Sequence, residues 1–265
     1  LSLDTMCELM GMSANVPTDI CFSFAGLRIR GGATGPHKDG WGMAMYRENS
    51  VWSLHDPRPS SESDLAVLMS TASLKCDIAI THIRQANVGE VSLANTHPFH
   101  RQLWGKTWSY AHNGQLSNSE NLTVQQSVMG TTDSERAFCW LLEQLKDTFG
   151  EKEPNVNTLS QKLHSLANEL REKGVFNMLL SDGQTLFCYC STHLHWLTRR
   201  APFNVAKLKD TPLDIDFEKV TSETDVVTII ATQPLTDNEK WQQMEAGELV
   251  VFQAGEVIES ITCTE

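Results

Sequence analysis

Met6-Cys7-Glu8-Leu9-Met10-Gly11-Met12 is the stretch on which the reading of this chain turns. The segment Glu8 to Met12 is short and apolar, as a buried strand would be. Met6 reads as the natural initiator and Leu1 to Thr5 as a cloning remnant, which makes residues 1–6 removable and residues 7–265 one domain. Aminopeptidases remove an initiator Met that precedes a small residue, so Cys7 is expected at the mature N-terminus. It would then carry a thiol and a free α-amine together. The thiol is a strong nucleophile, and an amine of pKa about 7.7–8.0 can take its proton near neutral pH. The competing reading is an ordinary buried cysteine on a first strand.

Composition narrows the classes. A net charge of −12 argues against nucleic acid, because a phosphate-binding face needs surplus Lys and Arg. No apolar run reaches the roughly 18 residues of a membrane span, and no signal peptide opens the chain, so no membrane association is expected. The seven cysteines are odd in number and scattered, which fits a reducing, cytoplasmic compartment. Cys188-Tyr189-Cys190 alternates as a strand does and reads as packing.

Along the chain, Pro17-Thr18-Asp19 reads as a helix start, with Ile20, Phe24 and Leu27 on one face. Five glycines between Arg30 and Gly42 require a loop with tight turns. Met43–Tyr46 and Val51–Leu54 resemble a hairpin, Leu65 to Ala72 a helix, and Asp77–His82 a strand ending in polar residues. Arg84 to Gln115 reads as loop-rich, with one aromatic strand at Trp108–Ala111. Thr132-Asp133-Ser134-Glu135 is a capping box ahead of a helix with Phe138, Leu141, Leu142 and Leu145 on its apolar face. Leu159 to Leu170 marks another helix, and five strand-like runs follow from Val175. Strands, two central helices, then more strands indicate a layered α+β domain with two sheets.

Four polar stretches interrupt this pattern. Arg84, in His82-Ile83-Arg84-Gln85-Ala86-Asn87, can present a planar fork to a carboxylate, or make a surface ion pair. His97, in Asn95-Thr96-His97-Pro98-Phe99, is a candidate binding residue or part of a proline-fixed turn. In Tyr110-Ala111-His112-Asn113-Gly114 the Asn113 amide and the Gly114 N–H could form an oxyanion hole. Asn-Gly is also a strong hairpin signal. Asp133 caps a helix, or faces a substrate ammonium while the helix dipole keeps it ionised. Together, an N-terminal thiol, a carboxylate clamp, an oxyanion pair and an ammonium acceptor are what hydrolysis of glutamine requires. His97-Pro98-Phe99-His100 and His193-Leu194-His195 lack a helical zinc-ligand frame, so neither a metal nor another cofactor is expected.

With these motifs, in this order, the chain resembles the class II glutamine amidotransferases, which are N-terminal-nucleophile hydrolases. The resemblance runs from Cys7 through His37-Lys38-Asp39-Gly40-Trp41-Gly42, His82-x-Arg84, Asn95-x-His97-Pro98 and His112-Asn113-Gly114 to Thr132-Asp133-Ser134-Glu135. Nearly the whole chain is similar to stand-alone bacterial members, which are similar in turn to a subunit of a fungal glutathione-degradation complex. The resemblance implies a four-layer αββα sandwich with Cys7 on a central strand. It implies Cys7 as nucleophile and base, Asn113 and Gly114 as oxyanion donors, and Arg84, Asn87, His97 and Asp133 around the substrate. Where the larger family often has Trp-Ala-Thr after the binding Arg, this chain has Gln85-Ala86-Asn87, so its carboxylate pocket is expected to differ. The expected reaction releases ammonia from glutamine through a Cys7 thioester. Hydrolysis of a γ-glutamyl peptide such as glutathione, and a silent regulatory subunit of the same fold, are the alternatives. An ammonia-accepting protein partner and an oligomeric state stay open.

Overall fold

The computed structural model describes residues 7–48, 50–86 and 90–262. Residues 1–6, expected to be removed, and Asn87, expected at the substrate, lie outside the described residues. β1 (Glu8–Asp19) leads into α1 (Cys21–Arg30), the hairpin β2 (Trp41–Arg47) and β3 (Ser50–Asp56), α2 (Asp64–Met69) and β4 (Lys75–Ile83). A second hairpin, β5 (Phe99–Leu103) and β6 (Lys106–Leu116), precedes α3 (Asp133–Phe149) and α4 (Val156–Arg171). The remaining strands are β7 (Gly174–Ser181), β8 (Thr185–Cys190), β9 (His195–Arg199), β10 (Val205–Lys207), β11 (Asp214–Asp216), β12 (Val227–Ala231), β13 (Gln242–Gln243), β14 (Glu248–Gln253) and β15 (Glu256–Ile261).

Two antiparallel sheets carry the fold. One is ordered β13-β9-β12-β1-β4-β2-β3, the other β15-β14-β8-β7-β6-β5, and β10 pairs with β11 apart from both. Side-chain alternation on β1 shows how they stack. Leu9 packs between the sheets with Ile80, Ala111, Leu179 and Ile230. Met10 and Met12 point the other way, onto Phe24 and Leu27 of α1 and Met69 of α2. Between them, a Cβ on Gly11 would lie 3.2 Å from Leu186 and 3.3 Å from Leu179, so glycine lets the sheets close here. The outer face of the second sheet packs Tyr110, Phe176 and Tyr189 against Phe138 of α3 and Leu163 of α4. Helix, sheet, sheet and helix form the αββα sandwich of the N-terminal-nucleophile hydrolases. No described helix is long and apolar enough to cross a membrane.

Several local expectations change. β1 continues through Pro17 to Asp19, because Thr18 and Asp19 pair with Cys76 and Lys75 after a register shift beyond Ser13. The helix starts two residues later, where Asp19 Oδ1 accepts the Cys21 N–H at 2.7 Å. The Asn113-Gly114 dipeptide makes no turn: it lies within β6, with Asn113 opposite Asn177 and Gly114 opposite Phe176. The turn falls instead at Trp104-Gly105, both at positive φ (54° and 76°), and joins β5 to a strand of 11 residues. Most of the stretch read as loop-rich is therefore a hairpin. β9, β10, β11 and β13 carried no periodic signal that the sequence reading used.

The capping box forms by half. Thr132 Oγ1 accepts the Glu135 N–H at 3.2 Å, as expected. The buried Glu135 carboxylate instead accepts from the Met129 and Gly130 N–H groups and pairs with Arg101 at 2.5 Å. It thereby ties the preceding loop and β5 to the start of α3. Removing one partner of a buried pair leaves an uncompensated charge, so Glu135→Ala should lower stability by about 3–5 kcal/mol. Denaturant unfolding of the variant beside the parent protein checks this.

Candidate functional site

Strand ends converge on the start of β1. Glu8 pairs with Ile83 on β4, which delivers Arg84 and Gln85 beside Cys7. Cys7 Sγ accepts the Gln85 N–H at 3.2 Å, and the Gln85 carbonyl lies 3.4 Å from the same sulfur. Burial pushes the thiol up to about 11, opposed by the Gln85 N–H and the Arg84 charge. At neutral pH the sulfur is therefore protonated and requires a base before it can attack.

The glycine-rich turn holds the Arg84 segment. Arg84 N–H donates to the Gly40 carbonyl, and Asp39 N–H donates to the Arg84 carbonyl. Asp39 Oδ2 accepts the Ala86 N–H at 2.7 Å. Arg84 Nη1 donates to the Glu90 carbonyl at 2.9 Å, and Asn95 Nδ2 reaches that carbonyl at 3.0 Å. Asn95 also exchanges two hydrogen bonds with Thr131, linking this segment to the approach of α3. Gly42 serves His97: a Cβ there would meet the His97 carbonyl at 2.1 Å.

Cys7, Arg84, Gln85, His97, Gly114 and Asp133 share the wall of one cavity of about 30 Å³. That is room for a water-sized guest. Asp133 sits at the N-terminus of α3, where Oδ2 accepts the Leu116 N–H at 2.6 Å and Oδ1 the Ser134 N–H at 2.9 Å. An ionised carboxylate offers about four acceptor sites, so lone pairs remain for a ligand. His97 packs on His82 with ring centroids 4.2 Å apart and planes tilted by 39°, and burial drives both imidazoles far below their ordinary range, toward the neutral form. His112 Nε2–H donates to the Val175 carbonyl at 3.0 Å, leaving Nδ1 to accept from Ser134 Oγ at 2.8 Å.

Of the expected residues, Asn113 alone among those described stands behind the wall. Its side chain points between the sheets, on the side of Ala111, and Nδ2 lies 3.5 Å from Thr232 Oγ1. Its carbonyl accepts from Asn177 Nδ2 at 3.2 Å. Gln85, His112, Ser134, Asn95 and Asp39 were not singled out as site residues. All five lie inside the motifs described above, but nothing in the sequence marks their side chains as positioning groups. A larger cavity of about 350 Å³ lies elsewhere, between α1 and the β10–β11 segment, and shares no wall with Cys7.

Residues 6–265 match the family described as glutamine amidotransferases, class II. The chain belongs to this family. It is 56% identical over 252 residues to the Escherichia coli protein named "Putative glutamine amidotransferase YafJ", covering 95% of this chain and 99% of that one. A Haemophilus influenzae protein named "Putative glutamine amidotransferase" is 41% identical, over 99% of this chain and 89% of the other. Among solved structures, a "predicted glutamine amidotransferase" from Pseudomonas aeruginosa superposes with a TM-score of 0.76 at 45% identity, over 96% of this chain and 100% of that one. Glutamine phosphoribosylpyrophosphate amidotransferase of Bacillus subtilis shares the fold at a TM-score of 0.61 and 14% identity, with 49% of that chain covered.

The environment of Cys7 has a measurable consequence. With the α-amine of Cys7 blocked by preceding residues, alkylation of Cys7 should rise about tenfold per pH unit without levelling off below roughly pH 10, because the thiolate fraction grows until pH passes the raised pKa. Peptide mapping after iodoacetamide treatment across pH checks this, and a plateau near neutrality would contradict it.

Proposed function

We propose that the chain is a glutamine amidohydrolase in which Cys7, once exposed as the first residue, attacks the side-chain amide of glutamine. The observation that supports this reading most directly is the shared wall of Cys7, Arg84, Gly114 and Asp133. A zwitterionic head group needs a cation and an anion at fixed separation from the nucleophile, and Arg84 and Asp133 supply them. Arg84 takes the α-carboxylate and Asp133 the α-ammonium, which leaves the far amide carbon for the sulfur.

The cycle is a double displacement. The Cys7 amine takes the thiol proton as sulfur bonds to the amide carbon, and the oxyanion that forms is held by the Gly114 N–H and by the Asn113 amide, whose NH₂ group must turn from Thr232 toward the cavity to reach it. Collapse breaks the carbon–nitrogen bond, and ammonia departs with the proton returned by the ammonium. Water, deprotonated by the same amine, then attacks the thioester, and glutamate leaves as sulfur regains its proton. The raised thiol pKa fits this scheme, since a buried thiol needs an adjacent base. Released ammonia passes to water or to an accepting partner protein.

The decisive experiment combines mass spectrometry of the mature N-terminus with labelling by an electrophilic glutamine analogue. Labelling is expected at Cys7 alone and only in chains that begin there. A label on another cysteine, or full turnover of glutamine by Cys7→Ala, would refute the assignment. Asn113→Ala should lower kcat about 10²–10³-fold with little change in KM. The same assay with glutathione in competition shows whether the γ-glutamyl head or the leaving amide sets the preference.

A further inference from the structure

Thr232 lies one residue beyond β12 and is buried against the start of β1. Its backbone N–H donates to the Leu9 carbonyl at 3.1 Å, and its Oγ1 accepts the Leu9 N–H at 2.8 Å. Its carbonyl is held by His195 Nδ1–H at 2.9 Å. The hydroxyl thus sits two residues from the sulfur on the nucleophile strand, and the Asn113 amide is its neighbour across the gap between the sheets.

With Nδ2 directed at Thr232 Oγ1, the amide makes poor use of this site. Oγ1 would accept twice, from Leu9 and from Asn113, its own proton would find no acceptor in either contact, and the buried Asn113 Oδ1 has no hydrogen-bond partner among the described residues. A half-turn of the amide exchanges two groups of nearly the same shape. Oδ1 then accepts the Thr232 O–H, Oγ1 keeps the Leu9 N–H, and the NH₂ group is released from Thr232 to meet an oxygen of the substrate. Buried polar groups are rarely left unpaired; the second orientation gives the Thr232 O–H its acceptor and leaves the NH₂ group to be paired by a ligand oxygen.

We infer that Thr232 is a positioning residue: its hydroxyl, fixed by the Leu9 N–H, sets the orientation of the Asn113 amide and so aims its N–H at the oxyanion. The backbone side of Asn113 is already fixed by Asn177, which is itself held by the Ser191 and Thr192 N–H groups. Side-chain orientation is the freedom left, and Thr232 removes it. The inference rests on the proposed role of Asn113.

A double-mutant cycle on glutamine hydrolysis tests it. Thr232→Val should lower kcat about tenfold or more with KM within about twofold, and Thr232→Ser should restore most of the rate. In an Asn113→Ala background the same Thr232→Val change should cost less than about threefold, because the group it aims is gone. Equal losses in both backgrounds, or a Thr232→Ser variant as slow as Thr232→Val, would overturn the inference. If Asn113→Ala itself turns over normally, the oxyanion role falls and takes this inference with it; if Asn113→Ala is slow while Thr232→Val is normal, only this inference falls. Because Thr232→Val also strands the Leu9 N–H, a neutron structure of the unmodified sequence labelled at Cys7 by the glutamine analogue, in which the amide deuterons are seen directly, gives an independent reading. There Nδ2 should meet the ligand oxygen and Oδ1 the Thr232 hydroxyl; the reverse arrangement would refute the assignment.

Discussion

The first three residues of the described chain are held on every side, and the rest of the site depends on that restraint. Glu8 and Leu9 pair with Ile83 and His82 along one edge, while Thr232 closes the other edge with two hydrogen bonds to Leu9. Glu8 extends to the helix side, where it meets Arg30 at 3.4 Å; Arg30 in turn binds Asp210 at 2.7 Å and the Gln233 and Pro234 carbonyls. Burial raises the Glu8 pKa against the pull of Arg30, so this pair serves more to anchor than to stabilise. A chain terminus would ordinarily fray. Here the position of residues 7–9 is settled by β4 and by the residue after β12, which lie far apart in the sequence.

The separation of tasks between the sheets follows from this anchoring. The first sheet brings the thiol and, through the strand beside it, Arg84. The second brings Gly114 to the cavity wall, with Asn113 behind it on β6, and α3 brings Asp133. The site is formed where the two layers meet at their ends, so relative movement of the sheets would change its geometry. Gly11, Leu179 and Leu186 lie in contact within the same interface, and close packing there resists such movement.

Much of this was legible in the sequence, and the failures have physical causes. The helices α3 and α4 announce themselves through leucine spacing and capping residues, and the inner strands through apolar runs. Of the two readings open for Asn113-Gly114, the turn does not form, because tertiary pairing with β7 outweighs local preference. The hairpin turn at Trp104-Gly105 was missed because a bulky Trp at positive φ is an uncommon way to build one. Arg84 and Asp133 stand out only in combination with Cys7 and the Asn113-Gly114 pair, because each alone has a common structural use as an ion-pair partner or helix cap. Thr232 could not: a threonine 119 positions from Asn113 in sequence has no local pattern that connects them.

Gly114 meets two requirements at one atom. It stands at φ 153°, and a Cβ there would come within 1.9 Å of the Val175 carbonyl, so a methyl group would force β6 away from β7. The same residue lines the cavity that holds the thiol. Selection for a foldable sheet and selection for a usable cleft therefore exclude the same substitutions, and the persistence of glycine at this position in any lineage would not reveal which of the two had acted.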